Sequence, residues 1–353
     1  MDSSVRERRF QVMDGFSDVL AFRPSEGRLH SATHEEIMGG CTTDVYFVKA
    51  RDVLRRSGKL STVVTAEFFA RRGGVFAGLE ELLVLLEGKG LEIWSLSEGD
   101  PFEAKEVLLR IIGPYEAFGL YETVMLGMLA SASAWATAAR ECVDAADGKP
   151  VLCFGARHVH PSVAPVMERA ALRAGGCAGA SCILGAKLAG AVPSGTVPHA
   201  AVLIIGDTVE LALDYDAVMP PEEPRIVLVD TFKDEAEESI RVAGALRESL
   251  DAVRLDTPGE RGGVTPSLVS EVRYRLDRAG FPKVKIVASG GLSPDRIREL
   301  DRAGADSFGV GSYISHASPI DMTMDLKEIE GAPIAKRGRL PGRIENPRLR
   351  RVP

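Results

Sequence analysis

The stretch from Lys285 to Gly311 constrains the fold of this chain more than any other part of the sequence. It opens as a short apolar strand and continues into Ser289-Gly290-Gly291. Because glycine has no side chain, an oxygen-rich group can approach the backbone there. Ser293 is a good N-cap for the helix that follows, and a second strand ends at Phe308-Gly309-Val310-Gly311. The pattern predicts a βα unit of a parallel barrel with a phosphate site at its carboxyl edge. The alternative is that these glycines only make tight turns.

Short apolar strands alternate with helical segments from Pro150 onward, and we count seven candidate strands, one of them Ala191 to Thr196. The expected fold is an α/β protein with an irregular barrel of about seven strands over residues 117–316. Residues 1–116 lack this alternation of strands and helices, and their pattern predicts a separate α+β N-terminal domain. Residues 317–353 are expected to form a return segment and a basic tail that pack on the N-terminal domain, with a solvated, frayed end.

Composition narrows the function classes. A formal net charge of -7 argues against a general nucleic-acid binder but leaves room for a small anionic substrate. The five cysteines include no CxxC pair, which is typical of a reduced cytoplasmic protein. The longest apolar run, Ala117 to Ala139, contains Glu122 and reads as a buried helix, so no membrane partner is expected.

Reactive side chains of a parallel barrel lie where its strands end. The ends predicted here carry two arginines, two aspartates and several small polar or aromatic residues. These are Phe154, Arg157, Ser181, Thr196, His199, Asp230, Arg254 and Asp256. Together with the glycine turns, they indicate a substrate with several phosphates and a divalent metal. Each aspartate could instead cap a helix, and each arginine could pair with an aspartate.

A zinc site is not favoured by the histidines near the first barrel strand. His158 and His160 are two residues apart, so they share a face only in a strand, and no third ligand is nearby.

The ordered set of motifs resembles the nicotinate phosphoribosyltransferase family, within the type II phosphoribosyltransferases that include the nicotinamide and quinolinate enzymes. The resemblance covers about residues 35 to 315. The motifs that carry it are Thr43-Asp44 with Tyr46-Phe47, Glu122-Thr123, Phe154-Gly155-Ala156-Arg157, Gly195-Thr196 with His199, Asp230-Thr231, Arg254-Leu255-Asp256, Ser289-Gly290-Gly291 and Phe308-Gly309-Val310-Gly311.

The resemblance implies transfer of ribose 5-phosphate from phosphoribosyl pyrophosphate to nicotinate, giving nicotinate mononucleotide and pyrophosphate in NAD salvage. Arg157 and Arg254 would grip phosphates, while Asp230 and Asp256 would hold Mg²⁺ and ribose. The turns with Ser289, Gly290 and Gly291 and with Gly309 and Gly311 would hold the 5-phosphate.

The same resemblance implies further roles around the base. Phe154 would stack on the ring, and Tyr46 of a neighbouring subunit would cover its other face, so a homodimer or larger homo-oligomer is expected. Ordinary packing is the alternative for Tyr46. His199 corresponds to the histidine that ATP phosphorylates in ATP-coupled members, which are classed as ligases. A neutral structural histidine is the competing interpretation.

The choice of base depends on Ser181. Nicotinamide-using relatives carry an aspartate near this position, whereas a helix start bearing Ser181 favours a carboxylate, so nicotinate is the expected base. Quinolinate, with its second carboxylate, needs more cationic residues, and His158, His160 and Arg140 could serve. Quinolinate phosphoribosyltransferase therefore stays open as the alternative activity.

The sequence departs from the family pattern in two ways, and two other classes of function stay open. Cys182 replaces the familiar asparagine beside Ser181, and no cysteine follows it, so the C-terminal zinc knuckle of some relatives is not expected. A non-catalytic nucleotide sensor could keep the phosphate site without turnover. An aldolase would need a lysine at a strand end, but the best candidate, Lys187, lies on a predicted helix.

Overall fold

The structure, a computed structural model, describes residues 12 to 352 of the 353-residue chain. Its α-helices are α1 (Phe16–Ala21), α2 (His34–Met38), α3 (Val45–Arg56), α4 (Leu79–Leu86), α5 (Tyr115–Phe118), α6 (Glu122–Ala145), α7 (Ala164–Arg173), α8 (Ile183–Leu188), α9 (His199–Ile205), α10 (Thr208–Val218), α11 (Glu235–Leu246), α12 (Pro266–Arg278), α13 (Pro294–Arg302) and α14 (Ser312–Ser315). Its strands are β1 (Val63–Ala70), β2 (Gly74–Val75), β3 (Glu92–Ser95), β4 (Pro101–Phe102), β5 (Val107–Pro114), β6 (Val151–Cys153), β7 (Gly179–Ala180), β8 (Ile226–Leu228), β9 (Ala252–Leu255), β10 (Lys285–Ala288), β11 (Ser307–Val310), β12 (Met322–Ile329), β13 (Ala332–Pro333) and β14 (Arg350–Val352).

The chain divides into two compact units. Of the described residues, those up to Ala134 and those from Ser318 form the N-terminal unit, and Trp135–Ala317 form the central unit. The division falls inside α6, whereas the sequence placed it at residue 116, where the strand pattern ends. Among residues 12 to 352, no helix combines the length and the apolar character that crossing a membrane requires.

The central unit is built on one parallel sheet with the strand order β7-β6-β11-β10-β9-β8. Its strands are short and apolar because helices cover them, and Val253, Ile286 and Phe308 are completely buried. The predicted fold class, an irregular α/β barrel beside a separate α+β unit, is confirmed. The sheet joins six strands, not seven, because the segment 191–196 has no strand in the described structure.

Helices of the central unit begin where the sequence offers capping side chains. Asp207, Asp234, Thr265 and Ser293 each accept a hydrogen bond from a backbone N–H in the first turn of α10, α11, α12 and α13. Three of these caps, Asp234, Thr265 and Ser293, end the loops that leave the carboxyl ends of β8, β9 and β10, and therefore help to hold that edge of the sheet in place.

The N-terminal unit contains an antiparallel sheet with the order β13-β12-β1-β5-β3-β14. The C-terminal segment supplies β12, which pairs with β1 from Val64↔Ile329 to Ala70↔Met322. The tail differs from the solvated, frayed end expected from its basic composition. Arg348 pairs with Glu106 at 2.8 Å, and β14 pairs with β3. Charge pairing and main-chain hydrogen bonds thus order this segment.

Glu122, at the start of α6, makes the stability of the N-terminal unit depend on pH. Burial raises the pKa of Glu122 from 4.5 to about 7, the charge of Asp325 adds to this, and Lys336 opposes it. The folded chain binds this proton more tightly than the unfolded chain, so stability should fall as pH rises from about 4.5 to 7. We expect Glu122→Gln to raise Tm at pH 8 by about 2–4 °C, with a smaller gain at pH 5.

Thermal unfolding of both proteins across this pH range checks the prediction. The control is Glu116→Gln, at an exposed position six residues earlier. Equal Tm gains for Glu122→Gln at pH 5 and pH 8 would show that Glu122 does not titrate in this window.

Candidate active site

One edge of the central sheet collects predicted site residues from all six strands. Because the strands are parallel, the residues that follow them lie at the same edge. These residues are Phe154 after β6, Ser181 after β7, Asp230 shortly after β8, Asp256 after β9, Ser289 after β10 and Gly311 after β11. The sequence therefore placed these residues at the correct edge of the sheet.

Arg254 joins four parts of this edge. Its Nε lies 2.9 Å from Ser289 Oγ, its Nη1 lies 3.0 Å from Thr196 Oγ1, and its Nη2 lies 3.4 Å from Asp256 Oδ2. The guanidinium also covers the Phe154 ring, with its carbon 5.0 Å from the ring centroid. Burial lowers the pKa of Arg254, opposed by the charges of Asp256 and Asp230. The guanidinium nevertheless stays charged, since arginine does not lose its proton in proteins.

The loop after β10 presents exposed main chain beside this cluster. Ser289 Oγ lies 2.8 Å from Asp256 Oδ1, which fixes the first residue of the loop. Gly290 and Gly291 follow with φ of +93° and +64°, values that disfavour residues with a Cβ. Both glycines are exposed and precede α13, so their N–H groups and the helix N-terminus can receive an anion.

His199 and Asp230 form a second polar pair in the same unit. His199 Nε2 lies 3.1 Å from both carboxylate oxygens of Asp230, whose side chain is 1% exposed against 38% for His199. Burial raises the pKa of Asp230, interactions with His199 lower it, and the charge of Asp256 raises it further. The two aspartates therefore lie close enough to repel each other.

Gly309, inside β11, and Gly311, directly after it, make room for neighbouring rings. A Cβ on Gly309 would lie 2.5 Å from Phe154 Cε2, and a Cβ on Gly311 would lie 2.9 Å from His158 Cε1. His158 Nδ1 is 3.1 Å from Ser315 Oγ, and its ring centroid is 5.5 Å from that of His316. Gly309 thus sets the position of the ring on which Arg254 stacks.

Arg157 lies on a single 3-10 turn, Ala156–His158, after β6 and is exposed. Its charge lowers the pKa of the partly buried Arg254. It also lowers the pKa of His158, for which burial is the larger cause and the charge of His316 a smaller one. The structure thus brings Arg157 near both residues. Two guanidinium groups at one edge provide the charge that a pyrophosphate needs.

Ser181 has a different environment from the one that its sequence context suggested. Its hydroxyl donates to Glu168 Oε1 at 3.0 Å, and the Cys182 N–H donates to Glu168 Oε2 at 2.5 Å. Both donors are therefore engaged by the protein. Sequence reasoning missed Glu168, although a carboxylate beside Met167 on the apolar face of α7 was a visible signal.

Three other candidates have contacts within their own units. Arg140 donates to the carbonyl oxygens of Gly175 and Ala174, and His160 Nδ1 lies 2.6 Å from Ser162 Oγ. Tyr46 lies on α3 of the N-terminal unit, 58% exposed, with its ring centroid 4.3 Å from that of Phe47. The role of Tyr46 in a neighbouring subunit stays a prediction.

Asp230 and Asp256 fit a magnesium ion held mainly by its substrate. The part of the chain that the structure describes contains no group of three or more His, Cys, Asp or Glu side chains arranged to hold a metal. Protein sites for Mg²⁺ in phosphate chemistry commonly supply only one or two carboxylates, and phosphate oxygens and water complete the shell. Two adjacent carboxylates that repel each other match this donor set.

Comparison with known proteins gives the following relatives. The chain is 32% identical over 250 residues to a nicotinate phosphoribosyltransferase of Mycobacterium tuberculosis, which covers 68% of this chain and 52% of that protein. It thus spans about half the length of this curated relative. It is also 23% identical over 283 residues to a probable carboxylating nicotinate-nucleotide pyrophosphorylase of Methanothermobacter thermautotrophicus, covering 76% of this chain and 90% of that protein.

Among solved structures, nicotinate-nucleotide pyrophosphorylase from Pyrococcus furiosus matches with a TM-score of 0.85 and 44% identity, over 92% of this chain and 86% of that one. Family models of the quinolinate phosphoribosyl transferase N-terminal and C-terminal domains match residues 44–133 and 135–325. These matches confirm the resemblance to type II phosphoribosyltransferases. They contradict the nicotinate phosphoribosyltransferase activity and its ATP-coupled ligase form expected from the sequence. The chain belongs to the quinolinate phosphoribosyl transferase family.

Proposed function

We propose that this protein is a decarboxylating quinolinate phosphoribosyltransferase of NAD biosynthesis. It converts quinolinate and phosphoribosyl pyrophosphate into nicotinate mononucleotide, pyrophosphate and carbon dioxide. The observation that carries the proposal is the convergence on Arg254 of Thr196, Asp256, Ser289 and Phe154 at one sheet edge. The matched family and the 44% identical pyrophosphorylase support quinolinate as the base.

The first chemical step joins the base to the sugar. The pyridine nitrogen forms a bond to C1′ while the C1′–oxygen bond to pyrophosphate breaks and its electron pair leaves with pyrophosphate. Arg157 and Arg254 stabilise the charge that grows on the leaving group, and Gly290 and Gly291 hold the 5-phosphate through their N–H groups. Asp230 and Asp256 would hold Mg²⁺, which would supply further neutralisation of the pyrophosphate charge when bound.

The second step removes the carboxylate beside the ring nitrogen. The carbon–carbon bond breaks, carbon dioxide leaves, and the electron pair stays on the ring carbon, where the cationic nitrogen stabilises it until a proton from water arrives. The enzyme therefore has to bind two carboxylates in the first complex and only one in the product. Arg157 and His158 provide cationic capacity for the second carboxylate, because an approaching anion favours the protonated imidazole.

The activity test is incubation of the protein with phosphoribosyl pyrophosphate and Mg²⁺ and one base at a time, namely quinolinate, nicotinate or nicotinamide. Chromatography follows nicotinate mononucleotide, and a coupled assay follows pyrophosphate. We expect turnover with quinolinate and at most a trace with the other two bases. Pyrophosphate release with nicotinate or nicotinamide but not with quinolinate would overturn the proposal. So would the absence of pyrophosphate release with all three bases.

A further inference from the structure

Glu168 is a fully buried residue whose carboxylate contacts the loops that follow β6 and β7. It lies on α7 with none of its surface exposed. Oε1 accepts from Ala156 N–H at 3.2 Å and from the Ser181 hydroxyl at 3.0 Å, and Oε2 accepts from Cys182 N–H at 2.5 Å. One side chain thus uses both oxygens on three donors.

These donors belong to the ends of two neighbouring strands. Ala156 begins the turn that carries Arg157 after β6, and Ser181 and Cys182 follow β7 directly. The two strands pair in parallel through Leu152↔Gly179 and Cys153↔Ala180. The Glu168 carboxylate therefore connects the two loops one to three residues beyond the last paired positions, where the hydrogen bond from Ser181 N–H to Cys153 O is the last between the two strands.

Burial of this charge is unfavourable in itself, and an apolar side chain on α7 would pack there without a desolvation penalty. Burial raises the pKa of Glu168, and hydrogen bonds from Cys182, Ser181 and Ala156 lower it. What the carboxylate adds is a defined geometry, since three donors fix the direction of both loops. An apolar residue would leave the N–H groups of Ala156 and Cys182 without this partner.

The same contacts determine where a substrate anion can bind. The Ser181 hydroxyl and the Cys182 N–H point to Glu168, and a negative charge lies directly behind them. A carboxylate of the base would be repelled there. Carboxylates therefore have to face the cationic side of the edge, where Arg157 and Arg254 lie.

We infer that Glu168 is a positioning residue that ties the β6 and β7 loops together and so places Arg157 and Phe154 for the substrate. The inference rests on the proposed function for the identity of the ligand. The probe is nicotinate mononucleotide, the product, because it occupies both the base and the 5-phosphate positions.

The test compares Glu168→Gln with Glu238→Gln. Glu238 is also fully buried in the central unit, but it lies on α11, where it pairs with Arg241 at 2.6 Å. The Gln amide can accept at one oxygen only, so an N–H of the loops loses its acceptor. Calorimetry should show nicotinate mononucleotide binding weakened about tenfold in Glu168→Gln and changed less than twofold in Glu238→Gln. Equal affinity in a folded Glu168→Gln variant would overturn the inference.

Hydrogen exchange keeps the inference testable if the variant does not fold or the ligand does not bind. In the ligand-free wild-type protein, the amides of Ala156 and Cys182 should be protected, because both are bonded to Glu168. In Glu168→Gln, peptides that contain these amides should exchange at least about tenfold faster, while the α11 peptides keep their rate. Rapid exchange at both amides in the wild type would overturn the inference. Absence of turnover with intact protection would instead count against the proposed function alone.

Discussion

Replacing Arg254 with alanine is expected to lower kcat/KM for phosphoribosyl pyrophosphate by about 30- to 150-fold, equivalent to about 2–3 kcal/mol of transition-state stabilisation. The guanidinium contacts Thr196, Asp256 and Ser289 in the free protein, so its orientation exists before substrate binds. Its removal eliminates a charge-assisted phosphate contact and leaves Asp256 without its cation. Steady-state kinetics with quinolinate measures the effect.

Two further arginine variants sharpen this prediction. Arg275→Ala removes a half-exposed arginine that pairs with Glu271 within α12 and should keep kcat/KM within about twofold. Arg254→Lys retains charge but cannot contact three partners with one planar group, so its activity should fall between wild type and Arg254→Ala. Near-normal activity of Arg254→Ala would remove Arg254 from the site.

Replacing Asp230 with asparagine is expected to reduce kcat/KM about 100-fold without lowering Tm. The activity falls because a neutral amide cannot hold Mg²⁺ or a ribose hydroxyl as a carboxylate does. Stability should hold or improve because burial raises the pKa of Asp230, and an ionised group with a raised pKa destabilises the folded state at neutral pH. Kinetics and thermal unfolding of the same preparation separate the two effects.

The control for this change is Asp277→Asn, at a half-exposed position on α12 where the carboxylate pairs with Arg273. It should leave kcat/KM within about twofold, since a surface ion pair contributes little. A parallel loss of activity and Tm in Asp230→Asn would mean that the Asp230 carboxylate is a structural group rather than a ligand for substrate or metal.

Sequence patterns predicted which residues lie at the carboxyl edge of the sheet, because the causes are local. A short apolar strand followed by a polar residue identifies its own carboxyl end, as at Asp230, Asp256 and Ser289. Parallel pairing then brings these ends together. The same reasoning failed at Ala191 to Thr196, where small apolar residues looked like a strand but belong to a loop. The segment meets β7 through the hydrogen bond from Ser194 N–H to Ala180 O at 2.8 Å but forms no strand of the described sheet, which composition did not reveal.

The base pocket could not be predicted from the sequence, since its character depends on contacts between distant residues. Ser181 at a helix start looked like a donor to a substrate carboxylate, yet its hydroxyl donates a hydrogen bond to Glu168, thirteen residues earlier. Arg140 looked available for a second carboxylate, yet its guanidinium binds the carbonyl oxygens of Ala174 and Gly175. A residue type establishes what a group can bind, whereas the fold decides whether the group is free to do so.

The measurement that tests the central claim most directly is the stoichiometry of carbon dioxide release from quinolinate labelled at its 2-carboxyl carbon. With phosphoribosyl pyrophosphate and Mg²⁺, wild-type protein should release labelled carbon dioxide, pyrophosphate and nicotinate mononucleotide in equal amounts. Pyrophosphate release without labelled carbon dioxide, or rapid turnover of nicotinate in the same preparation while quinolinate stays intact, would contradict the account.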